Sequence, residues 1–164
     1  MKLYVMRHGP AEDQSASGAD GDRALTASGR ERVCSVATLL VESDEAPLHI
    51  ITSPLVRAVQ TAEIVALLTG IGERGGTVEV RREIAPGVSA ESLVRQLASE
   101  EKRRVMLVGH EPDLSGLVAA LVGRFGRSFD KAMVVGVQVP SQGGPPKLRF
   151  VLDPKALKVE TASP

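Results

Sequence analysis

The stretch that decides the fold is MKLYVMRHG, residues 1–9. Residues 3–6 are apolar and mostly strand-favouring, so this run predicts a buried strand. The run stops abruptly at Arg7 and His8, which are followed by Gly9. In an open α/β sheet, ligands bind at the carboxyl ends of the strands. We therefore expect both side chains at the mouth of a site, where the glycine permits a sharp turn and a close ligand approach.

A second, distant stretch follows the same pattern. Residues 103–112, RRVMLVGHEP, form another short buried-strand pattern that ends in Gly109-His110. A histidine or arginine at the end of a strand is often only a solvent-exposed side chain. Residues 7–9 alone do not distinguish this interpretation from a functional site. The repetition favours a site, because two of the three histidines fall at the ends of predicted core strands.

Composition limits the class of protein. A chain of 164 residues, 43% of them hydrophobic, can bury the core of a single domain, which we place at residues 1–153. Residues 154–164 show no core pattern and are expected to fray. A formal net charge of zero, scattered cationic residues and 2% aromatic residues argue against nucleic-acid binding.

The cysteine content and the N-terminus indicate the cellular context. Cys34 is the single cysteine, so no intrachain disulfide is possible, and a buried apolar thiol is the preferred interpretation. No apolar run is long enough to span a bilayer, and Arg7 interrupts the N-terminus before the core of a signal peptide could form. We therefore expect a cytoplasmic protein that does not interact with membranes.

The order of predicted elements indicates the fold class. Strands alternate with helices and are followed by a hairpin around the turn residues 142–146, which predicts an α/β three-layer sandwich with a mainly parallel sheet and an antiparallel edge. In the second helix, the apolar residues predicted to face the core are Val56, Val59, Ile64, Leu67 and Leu68. The predicted strands are 3–6, 48–52, 77–81, 105–108, 132–140 and 147–152, and the predicted helices are 25–43, 54–69, 89–100 and 112–122.

Three strand-to-helix junctions are predicted to meet at one edge of the sheet. Arg57 lies in the first turn of its helix, where a cation opposes the helix dipole, and an anion bound at that terminus would explain its placement. The alternative is an ordinary exposed arginine, because the unfavourable interaction of the cation with the helix dipole costs at most about 1 kcal/mol. Together the junctions predict an anion site. They present Arg7 and His8, Ser53 and Arg57, and Gly109 and His110.

The remaining anion-site and metal-site patterns are missing from the sequence. Neither a Gly-x-x-x-x-Gly-Lys loop nor a Gly-x-Gly-x-x-Gly turn occurs, so nucleotide binding is unsupported. A carboxylate cluster suited to magnesium is missing as well. A zinc site would need a third ligand, and His49 falls at the start of its strand, at the opposite edge of the sheet, where we interpret it as structural. No metal and no cofactor is predicted.

The ordered motifs resemble those of the histidine phosphatase superfamily, whose fold is phosphoglycerate mutase-like. The resemblance runs from residue 1 to about residue 120, and four motifs in order make it a strong signal. The chain length, together with residues 7–12 and 109–115, is most similar to the SixA-type phosphohistidine phosphatases. The matching motifs are Arg7-His8-Gly9, Leu25-Thr26 with Gly29, Ser53-Pro54-Leu55 with Arg57-Ala58 and Gln60-Thr61-Ala62, and Gly109-His110.

The resemblance implies a mechanism for the matching residues. His8 would be the nucleophile that becomes transiently phosphorylated, and water would then release inorganic phosphate. Cationic and imidazole side chains would bind the equatorial phosphoryl oxygens in place of a metal. The side chains implied in catalysis are Arg7, His8, Arg57 and His110, and Arg7, Arg57, His110, Ser53 and Glu111 are the expected substrate-binding set.

Departures from the family pattern narrow the range of substrates that we expect. Ala11 and Glu12 stand where mutase-type members usually carry Ser and Asn, which disfavours a sugar-phosphate mutase. Only residues 70–84 lie where larger members insert a helical cap, so no large cap is expected. An open, shallow site encloses a small metabolite poorly but admits a phosphorylated side chain on a protein surface. The expected partner is a phosphorylated protein, for instance a histidine phosphotransfer domain.

More than one residue could be the proton donor, and more than one activity is consistent with the sequence. The family donor is a carboxylate near residues 70–84, and Glu83 is the candidate, ahead of Glu12 and Asp13, although Glu83 could equally be a surface residue. Imidazole leaves more readily than an alkoxide, so the acid matters less for phosphohistidine. A broad phosphomonoesterase and a non-catalytic phosphoprotein-binding module are the competing hypotheses.

Overall fold

The computed structural model describes residues 1–141 and 143–162, and within them a single seven-stranded sheet carries four α-helices. The strand order is β3-β2-β4-β1-β5-β6-β7. The elements in chain order are β1 (Lys2–Arg7), α1 (Ala27–Glu42), β2 (His49–Thr52), α2 (Val56–Leu68), β3 (Thr77–Val80), α3 (Glu91–Ser99), β4 (Arg104–Gly109), α4 (Asp113–Val122), β5 (Val134–Gln138), β6 (Lys147–Asp153) and β7 (Lys158–Thr161).

Strand β1 lies at the centre of the sheet. It pairs in parallel with β4 and antiparallel with β5, while β4 continues in parallel through β2 to β3. Strands β5, β6 and β7 pair antiparallel with their neighbours. The predicted sandwich, mainly parallel in its core with an antiparallel edge, is confirmed.

Alternate side chains of β1 pack into two separate hydrophobic clusters. Leu3 and Val5 pack with α3 and α4 on one face of the sheet, and Tyr4 and Met6 pack with α1 and α2 on the other. All four side chains are fully buried, because helices cover both faces. The apolar run at 3–6 therefore has no polar alternation, and the central strand lies inside three layers.

The parallel strands end at the same level, which brings the functional junctions together. Arg7 at the end of β1 is in register with Gly109 at the end of β4, and Thr52 at the end of β2 is in register with Val108. The residues that follow these positions therefore emerge at one edge of the sheet. His49 begins β2, as predicted, at the opposite end of that strand.

The buried face of α2 differs from the predicted stripe. Leu67 is 80% exposed and Leu68 is 41% exposed. The buried residues of α2 are Arg57, Ala58, Thr61, Ala62 and Val65, and the Gly9 amide donates to Thr61 Oγ1 at 3.1 Å. Ala58, Ala62 and Val65 belong to the core cluster that contains Tyr4 and Met6. The predicted stripe was therefore wrong at Leu67 and Leu68, whereas Val56, Val59 and Ile64 are half-buried.

The C-terminal part of the chain is more regular than expected. Strands β5 and β6 form the predicted hairpin, although Gln142 of its turn lies outside the described residues. We expected fraying over 154–164, but residues 158–161 form β7, where Val159 is in register with Leu152 and packs on the α1/α2 cluster. Ser163 and Pro164 are outside the described residues. No helix in the described ranges combines the length and apolar composition that a bilayer span requires.

Candidate active site

The end of β1 places Arg7 and His8 beside the end of β4. The His8 amide donates to the Gly109 carbonyl at 3.1 Å, which continues the strand pairing into the loop. Arg7 donates from one terminal nitrogen to the Phe129 carbonyl at 2.7 Å. Its Nε is buried and has no partner within the described residues. The guanidinium is thus held from one side and leaves a buried donor free.

His8 is held in one orientation and one tautomer. Its ring Nδ1 lies 2.7 Å from the Gly9 carbonyl oxygen. Because a carbonyl only accepts, Nδ1 must carry the proton, and the lone pair of the neutral ring is on Nε2. Burial is the main cause that lowers the pKa of His8 to about 3, and the charges of Arg57 and Arg7 act in the same direction. At neutral pH the ring is therefore uncharged.

Arg57 connects His8 to the loop that follows β1. It occupies the first turn of α2 and is 5% exposed. Its Nε donates to His8 Nε2 at 3.3 Å, while NH1 and NH2 donate to the Asp20 carbonyl and carboxylate at 2.8 and 3.0 Å. Thr61 donates to the Arg57 carbonyl at 2.7 Å, which ties this turn to the loop at Gly9. The alternative of an ordinary exposed arginine is wrong, because Arg57 is buried and contacts His8 and Asp20, and the anion at this helix terminus stays a prediction.

His110 completes the cluster from the end of β4. Its ring centroid lies 5.1 Å from that of His8. Nε2 is 2.8 Å from Ser53 Oγ, and Nδ1 is buried without a partner among the described residues. Burial, and then the charge of Arg57, lowers the pKa of His110 to about 4. The ring is therefore neutral at physiological pH.

The structure brings five of the predicted site residues together. Buried polar atoms in folded proteins are nearly always paired, so Arg7 Nε and His110 Nδ1, which have no partner within the described ranges, are positioned to bind a polar ligand. Two guanidiniums beside two neutral imidazoles suit a tetrahedral oxyanion, which the guanidiniums neutralise without being deprotonated. The five residues are Arg7, His8, Ser53, Arg57 and His110.

Two other candidates have different surroundings. The Glu111 carboxylate accepts from the amide and hydroxyl of Ser115 at 3.1 and 3.0 Å, so its visible role is to bind the first turn of α4. Glu83 lies exposed in a single-turn 3-10 helix, Arg82–Ile84, and makes no hydrogen bond or ion pair within the described part of the chain. Its neighbour Ile84 lies next to Gly109. The roles predicted for both carboxylates remain predictions.

Asp20 is a site residue that sequence reasoning missed. Its side chain is 65% exposed, yet it contacts Arg57, whose side chain is 6% exposed. The hydrogen bond from Arg57 holds the pKa of the Asp20 carboxyl below its ordinary value. The two residues are 37 positions apart in the chain, and the loop around Asp20 has no periodicity. A surplus of acidic residues in this loop was the only signal.

Glu12 and Asp13, the secondary candidates for the proton donor, lie in the same loop. The Glu12 carboxylate accepts from the Ala24 amide at 3.2 Å, which fixes the loop on itself. Asp13 and Asp20 line a shallow groove of about 370 Å³. Across residues 1–141 and 143–162, no group of three or more His, Cys, Asp or Glu side chains is arranged to hold a metal ion.

Residues 3–85 match the family model of the histidine phosphatase superfamily, branch 1. The chain belongs to this superfamily. The protein is 37% identical over 147 residues to an uncharacterised protein of Picosynechococcus sp., with 84% of this chain and 85% of the relative covered. The predicted family membership is confirmed.

The structural comparisons agree with the family. The structure of the protein histidine phosphatase SixA complexed with tungstate superposes with a TM-score of 0.86 at 26% identity, over 96% of this chain and 100% of that one. The native structure of a mycobacterial glucosyl-3-phosphoglycerate phosphatase has a TM-score of 0.66 at 21% identity, over 99% of each chain, and shows the fold alone. The phosphoglycerate mutase-like fold is confirmed, and these findings support phosphatase activity.

Proposed function

We propose that this phosphatase hydrolyses phosphohistidine on a protein through a covalent phosphohistidine intermediate on His8. The observation that carries the proposal is the fixed orientation of His8. Its Nδ1 proton is held by the Gly9 carbonyl, and its Nε2 lone pair lies on the side of Arg57. A nucleophile held in this way needs no separate base.

The reaction has two steps. His8 Nε2 attacks phosphorus, the bond from phosphorus to the substrate nitrogen breaks, and the leaving imidazole retains or gains a proton. Water then attacks the phosphorylated His8, and inorganic phosphate leaves. In both steps charge on the equatorial oxygens is stabilised by Arg7, Arg57 and His110. Arg7 Nε and His110 Nδ1 are buried without a partner among the described residues and are available for this role.

The shape of the surface supports a protein substrate. Only residues 69–81, a turn followed by β3, connect α2 to the 3-10 helix that contains Glu83, so no cap domain is inserted between these elements. Two shallow grooves of about 370 Å³ each are lined by residues that neighbour the site. One contains Asp20, which touches Arg57, and the other contains Pro112, two residues after His110. An extended, open surface of this kind suits a phosphorylated side chain on a folded partner.

The relationship to SixA supports the same substrate class. SixA is a protein histidine phosphatase, and its structure holds tungstate, a tetrahedral oxyanion like phosphate. The substrate that we propose is a phosphohistidine-bearing protein, for which a histidine phosphotransfer domain is the natural test case. Inorganic phosphate is the product.

The decisive experiment traps the intermediate. The enzyme is mixed with a protein that carries ³²P-phosphohistidine and is quenched in alkali. We expect acid-labile label on the enzyme at His8, no label and no turnover in His8→Gln, and unchanged turnover in the control His49→Gln, because His49 lies at the far end of β2. Turnover retained by His8→Gln would contradict the covalent mechanism.

A second comparison tests the substrate class. The rate with the phosphohistidine protein is measured against the rate with a sugar phosphate. We expect the protein to be the better substrate. Faster hydrolysis of the sugar phosphate would identify a small-molecule phosphomonoesterase, and tight binding of the phosphoprotein without turnover would identify a binding module.

A further inference from the structure

Ser53 is the buried neighbour of His110 in the site. The residue is fully buried, and its backbone amide donates to the Val108 carbonyl at 3.0 Å, which continues the pairing of β2 with β4. Its Oγ has two partners within the described residues. The Leu55 amide lies at 3.4 Å, and His110 Nε2 lies at 2.8 Å.

These two contacts determine the direction of the bond to His110. The Leu55 amide can only donate, so Ser53 Oγ accepts from it. The hydroxyl proton has no other acceptor in the described structure than His110 Nε2. Ser53 therefore donates to Nε2, and the single proton of the neutral His110 ring is left on Nδ1.

The position of that proton decides what His110 can do. Its Nδ1 is buried and has no partner in the part of the chain that the structure describes. With the proton on Nδ1, the atom is a donor that lacks an acceptor, which a phosphoryl oxygen would supply. Without the proton, Nδ1 would direct a lone pair at an anion and repel it. His8 also carries its proton on Nδ1, but there the Gly9 carbonyl uses it, so His8 offers a lone pair at Nε2 while His110 offers an N–H.

We propose that Ser53 is a positioning residue that holds His110 in the Nδ1–H tautomer, so that this ring donates a hydrogen bond to the phosphoryl oxygen. The proposal rests on phosphoryl transfer at this site. It also revises the role predicted from the sequence for Ser53, which acts through His110 rather than by contact with the substrate. Any oxyanion bound in the cluster depends on it, whichever phosphorylated substrate the enzyme uses.

The test observes the tautomer directly. Two-bond ¹H–¹⁵N correlation spectra of the full-length protein, labelled with ¹⁵N-histidine, identify the protonated nitrogen of each ring. We expect Nδ1–H for His110 in the wild type and a shift of population toward Nε2–H in Ser53→Ala. Inorganic phosphate, titrated into each protein, should bind about tenfold more weakly to Ser53→Ala, since a charge-assisted hydrogen bond is lost.

The control is Thr52→Val, which removes the neighbouring hydroxyl. Thr52 is also fully buried, and its hydroxyl bonds only to the Ser53 carbonyl among the described residues, at 3.2 Å. We expect Thr52→Val to retain both the tautomer and the phosphate affinity, which separates Ser53 from a general effect of a lost buried hydroxyl.

Two results would overturn the proposal. One is an Nε2–H tautomer of His110 in the wild type, a measurement that needs no variant to fold. The other is an unchanged tautomer and phosphate affinity in Ser53→Ala. Neither depends on turnover, so a failure of the phosphohistidine assay with the predicted tautomer present would reject the proposed substrate and leave the role of Ser53 standing.

Discussion

The Asp20 carboxylate lies 3.0 Å from the NH2 group of Arg57, so an exposed acid closes over a buried guanidinium in the centre of the candidate site. The same guanidinium reaches His8 Nε2 through its Nε. Arg57 thus connects the predicted nucleophile to a loop on the surface. A bound phosphoryl group would share this cation with Asp20.

Because Asp20 is a negative charge at the mouth of an anion site, its neutralisation should favour anion binding. We expect Asp20→Asn to lower the inhibition constant of inorganic phosphate by about two- to fivefold, as for an exposed ion pair, with the difference shrinking as salt is added. Competitive inhibition at low and high ionic strength measures this. Asp22→Asn is the control, because Asp22 accepts from Ser17 and has no hydrogen bond or ion pair with Arg57 among the described residues. Weaker phosphate inhibition would instead show that Asp20 mainly orients Arg57.

The two buried histidines should make the folded protein sensitive to acid. Folding lowers their pKa values from 6.5 to about 3 for His8 and about 4 for His110. Between these values the unfolded chain therefore binds protons that the native state does not bind. The contribution to stability is complete above pH 6.5 and is lost as the pH falls toward about 4 for His110 and about 3 for His8. Each ring should remove up to about 1.4 kcal/mol per pH unit in this window.

Urea denaturation across this pH range measures the effect. We expect the pH dependence of the unfolding free energy to become shallower in His8→Gln. The pH dependence should change less in His49→Gln, because His49 is only partly buried. A slope that is equal in His8→Gln and the wild type would mean that His8 titrates normally in the folded protein.

The role of Glu83 depends on the leaving group. If it is the proton donor, Glu83→Gln should slow hydrolysis of an alkyl phosphate by about a hundredfold, the lower end of the range for general acid catalysis. Phosphohistidine should be affected little, since imidazole leaves readily. Glu12→Gln serves as the comparison, because its carboxylate already accepts from the Ala24 amide. If Glu83→Gln hydrolyses both substrates at the wild-type rates, Glu83 is a surface residue without a role in proton transfer.

Two helical glycines provide a matched test of packing. A Cβ on Gly29 in α1 would lie 2.0 Å from the Pro10 carbonyl oxygen, whereas a Cβ on Gly116 in α4 would meet nothing within 4 Å. Gly29→Ala must displace backbone and should cost about 1–3 kcal/mol. Gly116→Ala should stabilise by about 0.5–1 kcal/mol, the helix-propensity gain. Chemical denaturation distinguishes them, and equal stability of the two variants would contradict the close approach of α1 to the loop at Pro10.

The sequence by itself determined the central strand, the alternation of strands and helices, and the three junctions that carry Arg7-His8, Ser53-Arg57 and Gly109-His110. These features follow from local rules. An unbroken apolar run is stable only where both faces of a strand are covered, and parallel strands align their carboxyl ends. The same rules placed His49 away from the site.

Only the tertiary structure decided which partner each of these side chains has. Asp20 meets Arg57, Ser53 meets His110, and Glu111 turns to Ser115 instead of the cluster. The first two pairs join residues from different elements, and no local periodicity encodes such contacts. The tertiary structure also selects the buried face of α2. Ala58, Ala62 and Val65 pack into the core and Thr61 contacts the loop at Gly9, while Leu67 on another side of the helix is exposed.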